Sequence, residues 1–155
     1  MSTSSPQNSG MRPLMVFEPM DGQDLTREEL EPYVGKLDGS LVDVTYRYLA
    51  SGTTIFAWMG FSPDVVADEF DSSPLVMSDG VYYWRRWAAD YVWYHSVALP
   101  QDFIDRCVER AGVPRSLSHD EVVALHSMID SEFRSVIERK RALFADGPPP
   151  IDQLC

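Results

Sequence analysis

The chain has 155 residues, 45% of them hydrophobic and 24% charged, which is one domain's length with an ordinary apolar share and enough chain to bury a core. Its net charge is −11, with 13 acids against 4 bases up to residue 83 and 11 against 9 beyond it. That balance opposes a nucleic-acid backbone and suits a basic protein partner, and no apolar run approaches the roughly 20 residues of a membrane helix.

Residues 1–12 begin M-S-T-S-S-P-Q-N-S-G, with neither the basic start nor the apolar run of a signal peptide. They are expected to be a disordered leader, because almost nothing in them can be buried to offset the cost of ordering. Residues 13–146 are expected to form a single α+β domain, and 147–155 an extended Pro-rich tail. Two cysteines, Cys107 and the terminal Cys155, make no disulfide framework and suit a cytoplasmic setting. Cys107 reads as a small core residue.

P-L-M-V-F-E-P-M at 13–20 predicts a short strand, placed by its prolines at a sheet edge. D-L-T-R-E-E-L-E-P-Y-V-G-K-L predicts a helix capped by Thr26 or Asp24, made short or kinked by Pro32. From 41 the period becomes two. Val42, Val44, Tyr46 and Tyr48 alternate with Asp43, Thr45 and Arg47, which predicts a strand. Ser51-Gly52 marks a turn, and T-T-I-F-A-W-M-G-F, apolar on both faces, predicts a central return strand. Leu75–Met77 and Val81–Arg85 flank Ser78-Asp79-Gly80, the strongest hairpin signal in the chain.

After Arg85 the spacing turns helical, with Trp87, Tyr91, Tyr94 and Ala98 on one row. Leu99-Pro100 breaks the chain and starts a second helix whose apolar face is Phe103, Ile104, Cys107, Val108 and Ala111, closed by Gly112. Ser118 with Glu121 forms a capping box for the longest helix, whose stripe runs Val122, Leu125, Ile129, Phe133, Val136 and Ile137. Strands first and helices later predict an α+β fold: an antiparallel sheet of four to five strands, packed on one face by the C-terminal helices. The 118–144 helix is also the place where a homo-oligomer would join.

Ser78–His95 holds three of the four tryptophans and four of the seven tyrosines. At a strand-to-helix corner such rings suit one shared core. Their number exceeds what one strand face and one helix face bury, so some are expected at the surface beside Arg85 and Arg86. Tyr, Trp and Arg dominate interface hot spots.

Spacing excludes several chemistries. His119 and His126 are seven apart, roughly 10 Å along a helix axis, too far for one ion. H-E-x-x-H, C-x-x-C, the Walker loop, G-x-G-x-x-G and G-x-S-x-G do not occur. No cofactor or metal is expected. Nothing in the sequence orients Cys107 and His95 as nucleophile and base. Asp64, Asp68, Glu69 and Asp71 cluster in one loop without the alternation of a calcium site. Arg139, Lys140 and Arg141 suit the dipole at the end of the long helix.

Asp79, Gly80, Tyr82, Trp84, Tyr91, Leu99, Pro100 and Phe103 form a run, D-G-x-aromatic-x-W, then a Tyr-bearing helix, then L-P-x-x-F. It resembles a signature of small uncharacterised actinobacterial proteins of immunity-protein-like character. The resemblance implies a packing motif and a non-catalytic inhibitor of a basic bacterial toxin or enzyme. The expected partner surface is then Asp64, Asp68, Glu69 and Asp71 for charge, with Trp58, Tyr82, Trp84 and Trp93 as contact rings. The alternative reading is a small-molecule enzyme or accessory protein with an aromatic pocket of Tyr83, Arg85, Tyr91 and His95.

Overall fold

The computed structural model describes residues 12–14, 17, 25–57 and 60–154, without the side chains of 133, 134, 136 and 137. The chain is α+β. Strand β1 (Arg12–Pro13) is followed by helix α1 (Arg27–Leu30), a 3-10 turn at Glu31–Tyr33 and helix α2 (Gly39–Ala50). Strands β2 (Thr53–Phe56), β3 (Ser62–Pro63), β4 (Asp71–Ser72), β5 (Val76–Ser78) and β6 (Tyr82–Arg85) come next. Helices α3 (Trp87–His95), α4 (Gln101–Glu109) and α5 (His119–Leu143) follow, and then a 3-10 turn at Ile151–Gln153.

Local chemistry explains most boundaries. Thr26 and Glu29 make a reciprocal capping box for α1, and Pro32 hands that helix over to a 3-10 turn. Ser118 and Glu121 do the same for α5. In the β5–β6 hairpin Asp79 pairs with Tyr82, so Gly80 and Val81 are the turn. Gly80 has φ +93°, the conformation a two-residue hairpin turn asks of its first central residue.

The expected strand at 41–50 is instead helix α2. Alternation of β-branched and aromatic residues is a weak preference that tertiary packing overrides. Asp38 starts the helix by accepting from the Ser40 amide at 2.9 Å. Thr45, Tyr48 and Leu49 then face the core together at helical spacing, which the period of two conceals.

Among the described residues one sheet has four strands in the order β1-β6-β5-β2, and β3 pairs with β4 in a separate two-stranded sheet. The larger sheet is mixed, not purely antiparallel, because β1 lies parallel to β6. Such pairing needs a long crossover, and the intervening chain with α1 and α2 supplies it. The segment expected to be central, β2, ends at Phe56 and takes the edge of the sheet. Its apolar content has another cause. A register shift between Thr54 and Phe56 lets Ile55 and Phe56 join one cluster under α5.

Helices cover both faces of the sheet, not one. Met77, Tyr82 and Trp84 pack into the main core with Tyr48 of α2 and Phe103 of α4. Val76 and Tyr83, on the opposite face, pack with Ile129, Leu125 and Val122 of α5. Of the described α5 stripe Ile129 is buried there, and Val122 and Leu125 are half-buried against the cluster. The Pro-rich segment also returns to the body: Tyr33 donates its hydroxyl to the Pro149 carbonyl, and Leu154 is buried in the main core.

Gly52 sits where β2 meets Trp84. A Cβ there would lie 2.7 Å from Trp84 Cζ2 and 3.3 Å from Met77 Cβ. The ring has little freedom to retreat, since its Nε1 donates to Leu49 O at 3.0 Å. Gly52→Ala is expected to destabilise the fold by about 1–3 kcal/mol through overpacking. Urea denaturation checks this, and an unchanged midpoint would show that the indole can shift.

Candidate functional site

The acidic loop and the aromatic helix of the sequence analysis meet in one place. Strands β3 and β4 pair Ser62 with Ser72 and Pro63 with Asp71, closing residues 64–70 into a loop. Asp64 organises that loop from inside. Its carboxylate accepts from the amides of Val66 (2.8 Å), Ala67 (3.3 Å) and Glu69 (3.0 Å). It also meets His95 Nε2 at 2.6 Å, and the Asp64 side chain is 0% exposed. A side-chain acceptor facing successive amides lets Asp64 replace the backbone bonds the turn lacks. Asp68 completes the turn at φ +58°, a conformation aspartate tolerates better than most residues.

Helix α3 holds the loop at further points. Tyr91 Oη accepts from the Val65 amide at 2.9 Å. Ser72 Oγ donates to Asp90 Oδ2 at 2.6 Å. Phe70 sets its ring edge-on to Tyr91 at 5.0 Å and stacks with Tyr94 at 5.1 Å. Burial pushes the Tyr91 hydroxyl up to about 12, so it remains a neutral hydrogen-bonding group.

Burial also pushes the Asp64 carboxyl upward, but the Glu69 amide, His95 and the amides of Val66 and Ala67 outweigh it and hold it below the usual range. A depressed folded value contributes stability above the unfolded value of about 3.9, and that contribution is lost as pH falls through the folded value. Protection of the Val66, Ala67 and Glu69 amides should therefore fall in acid, beyond the change in intrinsic exchange rate. Asp64→Ala should weaken the same amides by about 0.5–1.5 kcal/mol at neutral pH, since it removes the acceptor that all three share. Amide hydrogen exchange measures both. Unchanged protection in the variant would remove Asp64 as the loop's anchor.

The other expected contact residues divide sharply. Asp68, Glu69 and Asp71 are exposed, as Asp64 is not. Tyr82 and Trp84 are 1% and 0% exposed and present no surface to a partner. They are core because both neighbouring helices close over that sheet face. Trp93 is 50% exposed, resting on Tyr46 at 5.1 Å. Trp58 lies outside the described residues.

The structure does not gather the four residues of the alternative pocket. Tyr91 and His95 are neighbours, with ring centroids 6.1 Å apart. Arg85 lays its guanidinium over the Trp87 ring at 4.8 Å. Tyr83 is across the sheet under α5. Tyr83 packs with Val76 and Ile129 on one face of the sheet, whereas Tyr91 belongs to the core on the other face, so the two do not serve one cavity.

Sequence reasoning missed two surface residues, Phe61, which is 81% exposed, and Tyr94, which is 49% exposed. The helical row placed Tyr94 inward with Tyr91, but Phe70 covers only one side of it. The Pro63-Asp64 step was the available signal for an inward carboxylate, because aspartate after proline commonly opens a side-chain-capped turn.

Chemically, the Asp64–His95 pair is absorbed in holding the loop. Cys107 is buried in the core, and burial raises its thiol far above the range of a reactive cysteine. Among the described residues no three His, Cys, Asp or Glu side chains come together to hold a metal ion. No described helix is long and apolar enough to cross a membrane. What the arrangement offers is a braced loop with acids and rings on its outer side. In comparisons with known proteins the chain matches no family model, no curated protein and no solved structure.

Proposed function

We propose that this chain is a non-catalytic acidic binding domain that covers a basic protein partner, in the manner of an inhibitor. The interface is the outer side of loop 61–71 with the exposed side of α3. The observation that carries this reading is the combination of half-exposed Trp93 and Tyr94 and nearly bare Phe61 with the exposed carboxylates of Asp68, Glu69 and Asp71. Large rings left in water forgo hydrophobic stabilisation that a partner restores, and rings of this type anchor interfaces. The bonds of Asp64 brace the loop beforehand, so little ordering entropy is lost on association. The net charge of −11 adds attraction at a distance for a basic surface. A reducing, cytoplasmic setting suits the buried free thiol of Cys107.

The test uses charge reversal at Asp68→Lys, Glu69→Lys and Asp71→Lys together. All three side chains are exposed, so the fold is expected to persist. The wild-type protein should capture one basic protein from its native lysate at low salt and release it at high salt. The reversed variant should associate about 10-fold or more slowly, with a flatter salt dependence. Equal association by both proteins would remove the loop from the interface. Capture of nothing by the wild type would count against the reading as a whole.

A further inference from the structure

Behind the same loop lies a cavity of about 320 Å³. Its walls include Leu25, Phe61, Pro63, Val65, Trp87 and Tyr91. Two of these rings belong to the core, Trp87 at 5% exposure and Tyr91 at 2%, while Phe61 stands at the rim. A concave space with aromatic walls is the usual form of a small-molecule site.

Trp87 has a feature that packing leaves unexplained. Its indole Nε1 is buried and has no hydrogen-bond partner. Buried tryptophan normally finds an acceptor, as Trp84 does at Leu49 O, and an unpaired buried donor is costly. The Tyr91 hydroxyl, by contrast, is already engaged by the Val65 amide. Charge narrows the ligand. The Arg85 guanidinium already lies over the Trp87 ring, so a second cation there would be repelled. The carboxylates of Asp64, Asp68 and Glu69 in the adjoining loop disfavour an anion.

We propose that this cavity binds a small neutral planar molecule carrying one hydrogen-bond acceptor, such as an aromatic amide or ketone. Its ring lies among Phe61, Tyr91 and Trp87, and its acceptor receives a hydrogen bond from the Trp87 Nε1–H. Because Nε1 is sealed from solvent, binding includes a tilt of the indole toward the cavity. The site does not depend on the protein-partner reading.

The test is an amide-and-indole NMR titration of the whole chain with benzamide. Of the four tryptophan indole signals, the one removed by Trp87→Phe should move downfield and saturate. Ethylbenzene, of similar shape but with no acceptor, should bind about 5-fold or more weakly. Phe61→Ala should weaken benzamide binding while leaving the unfolding midpoint in place, since that ring is 81% exposed. Absence of a saturable shift at Trp87, or equal binding of the two probes, would overturn the proposal. So would a response confined to the exposed Trp93. The triple charge-reversal variant should titrate as the wild type does, so the failure of either reading leaves the other standing.

Discussion

Asp79→Ala is expected to cost the domain about 2–4 kcal/mol, because it removes a buried carboxylate shared by two turn amides, a tyrosine hydroxyl and a partly exposed arginine. Asp79 is 0% exposed. Its Oδ1 accepts from the amides of Val81 at 2.8 Å and Tyr82 at 2.7 Å, which shapes the hairpin turn. Its Oδ2 accepts from Arg106 Nε at 2.7 Å and from the Tyr48 hydroxyl. One carboxylate thus ties the hairpin to α2 and to α4. Alanine would leave two turn amides unpaired and Arg106 without its counter-charge. Burial, and after it Asp79 itself, keeps the Tyr48 hydroxyl firmly protonated, so Tyr48 serves as a donor to Asp79 throughout the ordinary pH range. Asp79→Asn should fall between wild type and alanine, because its single oxygen serves either the turn amides or Arg106 and its NH₂ is set against the other. Urea denaturation of the three proteins measures this. A loss below about 1 kcal/mol for alanine would mean that water replaces the carboxylate and that the network adds little.

Phe103→Ala should cost a similar amount, about 3–5 kcal/mol, as for other large-to-small changes at a fully buried phenylalanine. Phe103 is 0% exposed and lies at the centre of an aromatic cluster. It meets Tyr82 at 5.1 Å, Tyr48 at 5.5 Å and Trp84 at 5.6 Å, with interplanar angles of 87°, 85° and 71°. Edge-on pairs of this kind add to the area each ring buries. The cavity left by alanine would be walled by three rings that hydrogen bonds hold in place, at Arg12, Asp79 and Leu49. Little collapse is expected. Phe103→Leu should recover more than half of the loss by refilling much of the space. Equal stability of the alanine and leucine variants would show that the surrounding rings do move in.

Asp79 and Phe103 are the two ends of the D-G to L-P-x-x-F run, and their roles explain the rest of it. Tyr82, Trp84, Tyr91 and Leu99 are all buried, and Pro100 opens α4 so that Phe103 points back at the hairpin. The run is a folding unit in which hairpin, helix and second helix share one core. Its residue types are those of a binding hot spot only because large rings serve both ends. The exposed rings and acids of this side of the molecule lie in the loop, at Phe61, Asp68, Glu69 and Asp71, and at two positions of α3 within the run, Trp93 and Tyr94.

Features decided within a few residues were legible in the sequence. The caps at Thr26 and Ser118, the turn at Asp79-Gly80 and the burial of Phe103, Ile104 and Cys107 all appear in the structure, while Val108 and Ala111 of the same expected face are exposed. In each, the controlling bond or period runs over four residues or fewer along the chain. The net charge and the acidic loop were equally plain. Tertiary structure decided the rest. It made 41–50 a helix, because Tyr48 and Leu49 gain more from a shared core than alternation gains from a strand. It set β1 parallel to β6 and laid α5 over the far face of the sheet, which local signals cannot report because the partners are distant in sequence. It also separated acids that composition treats alike. Asp64 turned inward to satisfy four donors, including His95, 31 residues away, while Asp68, Glu69 and Asp71 stayed in water. A carboxylate's role follows from the donors around it, and those donors assemble only when the chain has folded.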